Sequence, residues 1–347
     1  MQSPIKILYV GNIQGFFGHQ KFYLIPQRLV NGFTRCGHMV YVLNDRDFAR
    51  YANPFRSRAF GARKVDGKLL AVCRDYRPDL LVLSNCEMVS NEVLQALRES
   101  LPDVRIAYRN VDSLNMGGNR KKVERRLGVV DTLFLTSSVS GLRDPSGRTK
   151  LAFMPNPVDP SLDRGRAFEA ANPHYDLFFA GQAIRDQTDR RPALLRRLQS
   201  ELGDLKLGFF GSAVGKPSLF GQGYLDALAQ SAMGLSLDRE DENPLYASDR
   251  MSHYLGNGLL TFVKRGKGFE RFFTEQEVAW FDGADDVIET VRRLSADREQ
   301  RQRIAKAGRR RAHELFDCAR IAAWMVELSL DRPFSQSYPW IEAETAG

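Results

Sequence analysis

Short apolar runs rich in β-branched residues, each followed by a turn and a helix-spaced segment, recur down this chain and narrow its choice of fold more than any other feature. Ile5-Lys6-Ile7-Leu8-Tyr9-Val10 ends at Gly11-Asn12, Leu24, Leu29, Val30 and Phe33 then recur at helical spacing, and Met39-Val40-Tyr41-Val42-Leu43 returns as a strand. Runs that are apolar on both faces suit strands covered by helices on both sides of a parallel sheet. The pattern continues through a helix over 65–74, a strand at 80–83, a helix over 91–100, a strand at 105–108, a helix over 121–127 and strands at 132–136 and 150–154. Strand–helix alternation at this pitch predicts a doubly wound parallel sheet with right-handed crossovers.

Pro155-Asn156-Pro157-Val158-Asp159-Pro160 interrupts the alternation, because three prolines in six residues continue neither regular element. A second series follows, with strands at 175–180, 207–210, 234–237 and 259–263 and helices near 192–202, 223–229, 249–255, 285–294 and 299–315. The expected fold class is α/β, with two tandem Rossmann-like domains facing a central cleft: residues 1–157 first, then 158–347, the last helix (about 318–345) crossing back to the first domain. At 347 residues the chain is long enough for two cores.

The formal net charge of +8 favours an anionic partner. The positive residues are spread over many amphipathic segments without Cys/His zinc spacing or an RNP-like strand, so nucleic acid is not expected as a partner. The densest basic stretch, Gly117 to Arg126, reads first as a solvated helix and otherwise as a contact for anionic lipid or a charged acceptor. Cys36, Cys73, Cys86 and Cys318 are far apart and form no CxxC, which fits free thiols in a reducing compartment. With no secretory h-region and no apolar run of bilayer length, the expectation is a cytoplasmic protein, with peripheral contact to the inner face of the plasma membrane as an option.

Ligands of open α/β sheets bind beyond the carboxyl ends of the strands, so the residues that follow strands are the site candidates. In the first half these are Gly11, Asn12, Gln14, Gly15 and His19, then Asn110 and Asp112, all read as substrate-binding or catalytic. The glycines let backbone approach a ligand closely, but their GxxxGxxG spacing is not the dinucleotide fingerprint. His19 could touch donor phosphate or accept a proton, or simply cap a helix. Asp112 could be the general base for a sugar hydroxyl, or an N-cap. In the second half Gly181, Gln182 and Gly211 end strands, and Arg185, Arg190 and Arg191 open a helix, where backbone N–H groups, the helix dipole and guanidinium groups suit a diphosphate. Arg250 and His253, one turn apart behind Asp249, share a helix face; Gly256 and Gly258 allow close approach or cap the helix. The acidic pairs read as helix starts and solvated loop, so no metal site is expected.

Three segments carry a resemblance. Phe153-Met154-Pro155-Asn156-Pro157-Val158-Asp159, Leu177-Phe178-Phe179-Ala180-Gly181-Gln182, and Ser248-Asp249-Arg250-Met251-Ser252-His253-Tyr254-Leu255-Gly256-Asn257-Gly258 look, in that order, like the interdomain hinge, the first donor-domain strand and the donor-site helix of GT-B glycosyltransferases of the GT4-like, CgeB-like group. The resemblance implies a metal-independent, hexosyltransferase-like enzyme without a cofactor. Its substrates would be a nucleotide sugar such as a UDP-, GDP- or dTDP-sugar, held by the second domain, and a hydroxyl of a glycan or glycolipid, held by the first, in envelope polysaccharide or other glycan synthesis. His253 stands where many members of that group carry glutamate, a departure that leaves the donor and the stereochemistry open. A nucleotide-sugar epimerase on the same fold and a catalytically idle sugar- or partner-binding module are the alternatives; a nicotinamide oxidoreductase lacks its fingerprint.

Overall fold

The computed structural model describes residues 3–13, 19–183, 189–239 and 242–341. The chain divides into two compact units, residues 1–155 with 318–347 and residues 156–317. It leaves the first unit after Pro155 and re-enters it at Cys318.

Unit 1 is built on a six-stranded parallel sheet, β1 (Lys6–Gly11), β2 (Met39–Leu43), β3 (Leu80–Ser84), β4 (Arg105–Asn110), β5 (Thr132–Leu135) and β6 (Lys150–Phe153), in the order β2-β1-β3-β4-β5-β6. Its helices are α1 (Ile25–Arg35), α2 (Asp45–Tyr51), α3 (Arg58–Tyr76), α4 (Asn91–Ser100), α5 (Asn119–Glu124) and α11 (Cys318–Ser329). Apart from the edge strand β2, whose Met39, Tyr41 and Val42 are exposed, the strands are largely buried: on one face Leu8, Val10, Leu81, Leu83, Leu133 and Leu135 join the core formed with the α3 and α4 side chains Val65, Leu69, Leu94 and Leu97. On the other face α11 packs along α1 so closely that a Cβ on Gly32 would lie 2.2 Å from the Cys318 carbonyl oxygen. Trp324 stacks edge-on against Phe134 at 5.1 Å and Trp340 at 5.6 Å, which ties the C-terminal segment to the sheet.

Unit 2 carries a five-stranded parallel sheet, β7 (Tyr175–Ala180), β8 (Leu207–Phe210), β9 (Ser231–Leu235), β10 (Leu260–Lys264) and β11 (Ala279–Phe281), ordered β11-β10-β9-β7-β8. Around it lie α6 (Arg191–Glu201), α7 (Gly221–Ala229), α8 (Asp249–Gly256), α9 (Ala284–Ala296) and α10 (Arg298–Leu315). Its core joins Leu177, Phe179, Phe209, Met233, Leu235 and Phe262 to Leu195, Leu198, Val287 and Val291.

Both sheets reverse the direction of strand addition once. In unit 1 the chain steps from β1 to β2 on one side and then crosses to β3 on the other; in unit 2 it steps from β7 to β8 and then crosses to β9. These are the topological switch points where the loops after neighbouring strands part and leave room for a ligand.

Each unit holds a histidine whose imidazole its surroundings push below the ordinary value. Burial holds the His313 imidazole below its ordinary value near 6.5, while the bond between its Nε2 and Gly256 O at 3.0 Å pulls the other way. His38 is lowered by burial and then by the Arg332 cation. An imidazole neutral in the folded state but protonated in the unfolded chain contributes stability that is full above about pH 6.5 and declines as pH falls below it. The melting temperature is therefore expected to drop between pH 7.5 and 5.5, and His313→Gln to lessen that drop. An unchanged slope in the variant would show that His313 does not cause it.

Candidate functional site

In unit 2 the carboxyl edge at β7 is assembled from two loops pressed together. Gly211, after β8, has φ +96°, and a Cβ there would lie 2.2 Å from Gly181 O, so the loops after β7 and β8 touch only because neither carries a side chain at the contact. Gly181 N–H donates to Phe210 O at 3.0 Å and Ala213 N–H to Gly181 O at 3.3 Å. The Gln182 amide bridges Ser212 and Ser218, so it staples the loops. Arg191, at the first position of α6, is buried; it holds Asp189 through Nε at 2.8 Å and Nη2 at 2.7 Å and donates to Gln182 O at 2.8 Å. Arg191 therefore fixes the loop, whereas Arg190 beside it is exposed.

The first turn of α8 meets the same edge. Arg250 lies over the Phe179 ring at 5.2 Å, donates through Nη2 to Leu237 O at 2.6 Å and brings Nη1 to 3.5 Å from Ala180 O. A guanidinium stacked on an aromatic ring and fixed at one end presents its remaining N–H groups in a set direction. Its Nε is buried and finds no protein acceptor. Two residues earlier the Ser248 hydroxyl is also buried without a partner, and so is Oδ1 of Asn156, whose Nδ2 donates to Ala247 O at 2.9 Å. Buried polar atoms are nearly always paired, so these orphans, two at the start of α8 and one on Asn156 bonded to Ala247 beside it, mark a place where a polar ligand can complete the bonding. Behind them Asp238 and Lys267, both buried, form an ion pair at 3.3 Å, and Asp238 Oδ1 accepts Ser248 N–H at 2.8 Å, which fixes the start of α8. Tyr254 accepts Ala180 N–H at 3.3 Å; burial pushes its hydroxyl up to about 12, so it remains neutral.

Two donor-site residues expected from the sequence are relocated. His253 is buried and its Nδ1 lies 3.1 Å from the Tyr224 hydroxyl of α7, one turn deeper than Arg250. Gly258 precedes β10 and so lies at the amino end of that strand, where a Cβ would meet the Phe168 ring at 2.8 Å with φ +80°. It shapes the entry to β10 and is not at the ligand edge. Gly256 likewise packs on Asp163, at 2.8 Å from a built Cβ. Asp249 opens α8 with Arg250. Arg185 lies outside the described residues. Sequence reasoning missed Asn156, Ser248, Asp238 and Lys267 as a group, because their association depends on the loops after β9 and β10 folding against each other.

In unit 1 the edge at the switch point is formed by the ends of β1 and β3. Gly11 pairs with Ser84, and a Cβ on it would lie 2.8 Å from Ser84 O, so this glycine serves strand packing. Asn12 follows it, exposed. Gln14 and Gly15 lie outside the described residues, as does the side chain of His19. Asn110 is buried and saturated: its Nδ2 and Oδ1 exchange bonds with Asn119 at 3.0 Å each, and Oδ1 also accepts Asp112 N–H at 3.1 Å. It is thus a clamp on the β4 turn and has no capacity left for substrate, correcting the expectation. The clamp positions Asp112, whose half-buried carboxylate has Asn85 Nδ2 at 3.5 Å and is otherwise presented at the edge. In the same unit a cavity of about 540 Å³ opens between the turn after β3 and α5, lined among others by Cys86, Glu87, Asn91, Tyr108, Lys122 and Arg126. Among the described residues no three His, Cys, Asp or Glu side chains gather as a metal site would require.

A family of glycosyl transferase-like domains matches residues 190–327, a stretch that includes α6, the α8 turn and α10. No curated protein sequence matches. Among solved structures, HepE of Anabaena in complex with UDP and glucose is 12% identical, with a TM-score of 0.55 over 93% of this chain and 98% of its own. Sucrose-phosphate synthase from Thermosynechococcus elongatus is 12% identical, with a TM-score of 0.57 over 93% and 98%. A UDP-GlcNAc 2-epimerase from Neisseria meningitidis bound to UDP-GlcNAc is 10% identical, with a TM-score of 0.50 over 94% and 100%. The chain therefore has the GT-B fold of two Rossmann-like α/β units, and its residues 190–327 match the glycosyl transferase-like domain.

Proposed function

We propose that this protein is a glycosyltransferase that takes a sugar from a nucleoside diphosphate, of which UDP is the first candidate, and passes it to a hydroxyl of a glycan or glycolipid acceptor. The observation that carries the reading is the α8 turn, with Arg250 stacked and oriented at the β7 switch point and orphaned polar atoms of Ser248 and Asn156 beside it. The complexes of HepE with UDP and of the epimerase with UDP-GlcNAc support the choice of UDP. In this reading Arg250, Arg190 and the N-termini of α6 and α8 offset the negative charge that develops on the leaving diphosphate. Asp112 takes the proton of the acceptor hydroxyl, and the cavity beside α5 gives the acceptor room. A glycan or lipid-linked glycan of the cell envelope is the acceptor class we favour, and no metal or cofactor is needed.

Titration calorimetry with UDP, GDP and dTDP tests the donor half: one diphosphate should bind, and failure of all three sinks the reading. For the chemistry, Asp112→Asn is expected to lower turnover by about a hundredfold or more, the usual contribution of a general base, with the affinity for UDP within twofold of the parent. Unchanged turnover would remove Asp112 from the mechanism. Because solved epimerases share the fold, the donor should also be incubated alone; sugar epimerisation without acceptor would favour that second reading.

A further inference from the structure

The segment between α2 and α3 shows aromatic rings to solvent on a rigid support. Phe55 is 77% and Phe60 70% exposed, and their ring centroids stand 5.7 Å apart. Tyr51, at the end of α2, is 56% exposed. The turn that carries Phe55 is held from within by Asn53, which is buried: its Nδ2 donates to Ala49 O and Ser57 O at 2.7 Å each, and its Oδ1 accepts Ser57 N–H at 3.1 Å. Arg56 adopts φ +49°, a left-handed conformation uncommon for a residue with a side chain. Below it Gly61 lies so close to α2 that a Cβ would stand 2.0 Å from Ala49 O. The two rings are thus held outward by a fixed backbone.

The surroundings of the rings are cationic. Arg56, Arg58, Arg63, Lys64 and Lys68 are exposed, and the last three continue the α3 face that begins at Phe60 with spacings of three, four and eight. Of the neighbouring acids, Asp45 and Asp47 are buried and Asp66 accepts Ser90 N–H at 3.0 Å, while Glu87, which is exposed and feels Arg58, is paired with Lys122 at 2.6 Å. Of the cations around the rings, Lys64 donates to Ala52 O, and the basic stretch singled out in the sequence is engaged too, with Lys122 on Glu87 and Arg126 buried and donating to Val89 O at 2.7 Å.

We propose that the turn between α2 and α3 is a docking surface for an anionic lipid bilayer, Phe55 and Phe60 entering the interface and the surrounding Arg and Lys side chains contacting lipid phosphate. Charge complementarity argues for this occupant: an exposed pair of apolar rings flanked by cations matches the boundary between acyl chains and anionic headgroups, where apolar burial and phosphate attraction add. The inference does not rest on the nucleotide reading, and its readout is lipid binding alone.

The full chain should co-sediment with vesicles of phosphatidylcholine mixed with phosphatidylglycerol, not with phosphatidylcholine alone, and release as salt is raised. Phe55→Ser with Phe60→Ser should lower the partition coefficient by roughly tenfold per ring, with an unchanged melting curve because both side chains are already in water. Arg56→Gln, Arg58→Gln and Arg63→Gln together should abolish the preference for phosphatidylglycerol. Absence of pelleting by the parent protein, equal pelleting without anionic lipid, or full binding by the double Phe variant would each overturn the proposal. So would loss of binding on Lys121→Gln with Arg125→Gln while the Phe variant still binds, which would transfer the surface to α5. A parent dimer that dissociates in the Phe variant, with no lipid binding, would make the patch a contact between two copies instead.

Discussion

Arg250→Ala is expected to weaken nucleoside diphosphate binding by about 10- to 150-fold, the effect of removing a hydrogen bond to a charged group worth about 1.5–3 kcal/mol. The reasoning is geometric. Arg250 is anchored on the Phe179 ring and on Leu237 O, its Nε has no protein acceptor, and it stands at the β7 edge where the loops after β7 and β8 meet. The same substitution frees the Leu237 carbonyl, so some stability will be lost as well, and the two effects have to be separated. Arg250→Lys keeps the charge and can reach one carbonyl but cannot stack as a plane or present a second directed N–H, so its affinity should fall between those of the parent and the alanine variant. Calorimetric titration of all three proteins with UDP, beside their melting temperatures without ligand, gives the answer. If the alanine variant binds UDP as the parent does, Arg250 is only a packing residue and the donor site lies elsewhere.

Gly211→Ala is expected to have the largest effect on stability, about 2–6 kcal/mol. Two costs add. A side chain at φ +96° and ψ 173°, a region essentially reserved for glycine, is strained by about 1–3 kcal/mol, and a methyl group 2.2 Å from Gly181 O forces the loops after β7 and β8 apart, an overpacking of about 1–3 kcal/mol. Gly215→Ala carries only the milder strain of a left-handed residue, since that glycine has φ +67° and ψ 19° and no atom within 4 Å of a built Cβ. The difference between the two variants in chemical denaturation measures the close approach together with the extra strain of the Gly211 backbone. Because Gly181 moves with Gly211, UDP binding should fail in Gly211→Ala at temperatures where the protein is still folded and persist in Gly215→Ala. Equal stability of the two would mean that the loops separate without cost.

Much of this architecture was legible in the sequence, for a definite reason. A strand of a doubly wound sheet is apolar on both faces, so Ile7–Val10, Leu80–Leu83 and Leu177–Phe179 announce themselves, and the glycines after them mark where backbone turns or comes close. Elements without that signal escaped notice. Helix α2 (Asp45–Tyr51) has seven residues, four of them charged (Asp45, Arg46, Asp47 and Arg50), and is started by the Asn44 side chain accepting Asp47 N–H at 3.0 Å rather than by an apolar stripe. Strand β11 (Ala279–Phe281) has three residues and is defined by its pairing with β10.

The site divides in the same way. The order of strands and turns sufficed to place Gly181, Gly211, Arg250 and Asp112 near carboxyl ends of strands, because chain direction alone decides which end of a parallel strand meets its loop. Helical spacing put His253 on the face of Arg250, but one turn of helix is about 5.4 Å deep, and only the packing of α8 on α7 decided that His253 meets Tyr224 instead of the edge. Asn110 and Gln182 have the right chemistry for a ligand, yet tertiary partners, Asn119 for one and Ser212 with Ser218 for the other, already use their hydrogen bonds. Chain direction and strand order determine which residues can reach the carboxyl edges of the two sheets. Which of them still had bonds to offer was decided by long-range contacts, because saturation of a polar group depends on neighbours that periodicity does not encode.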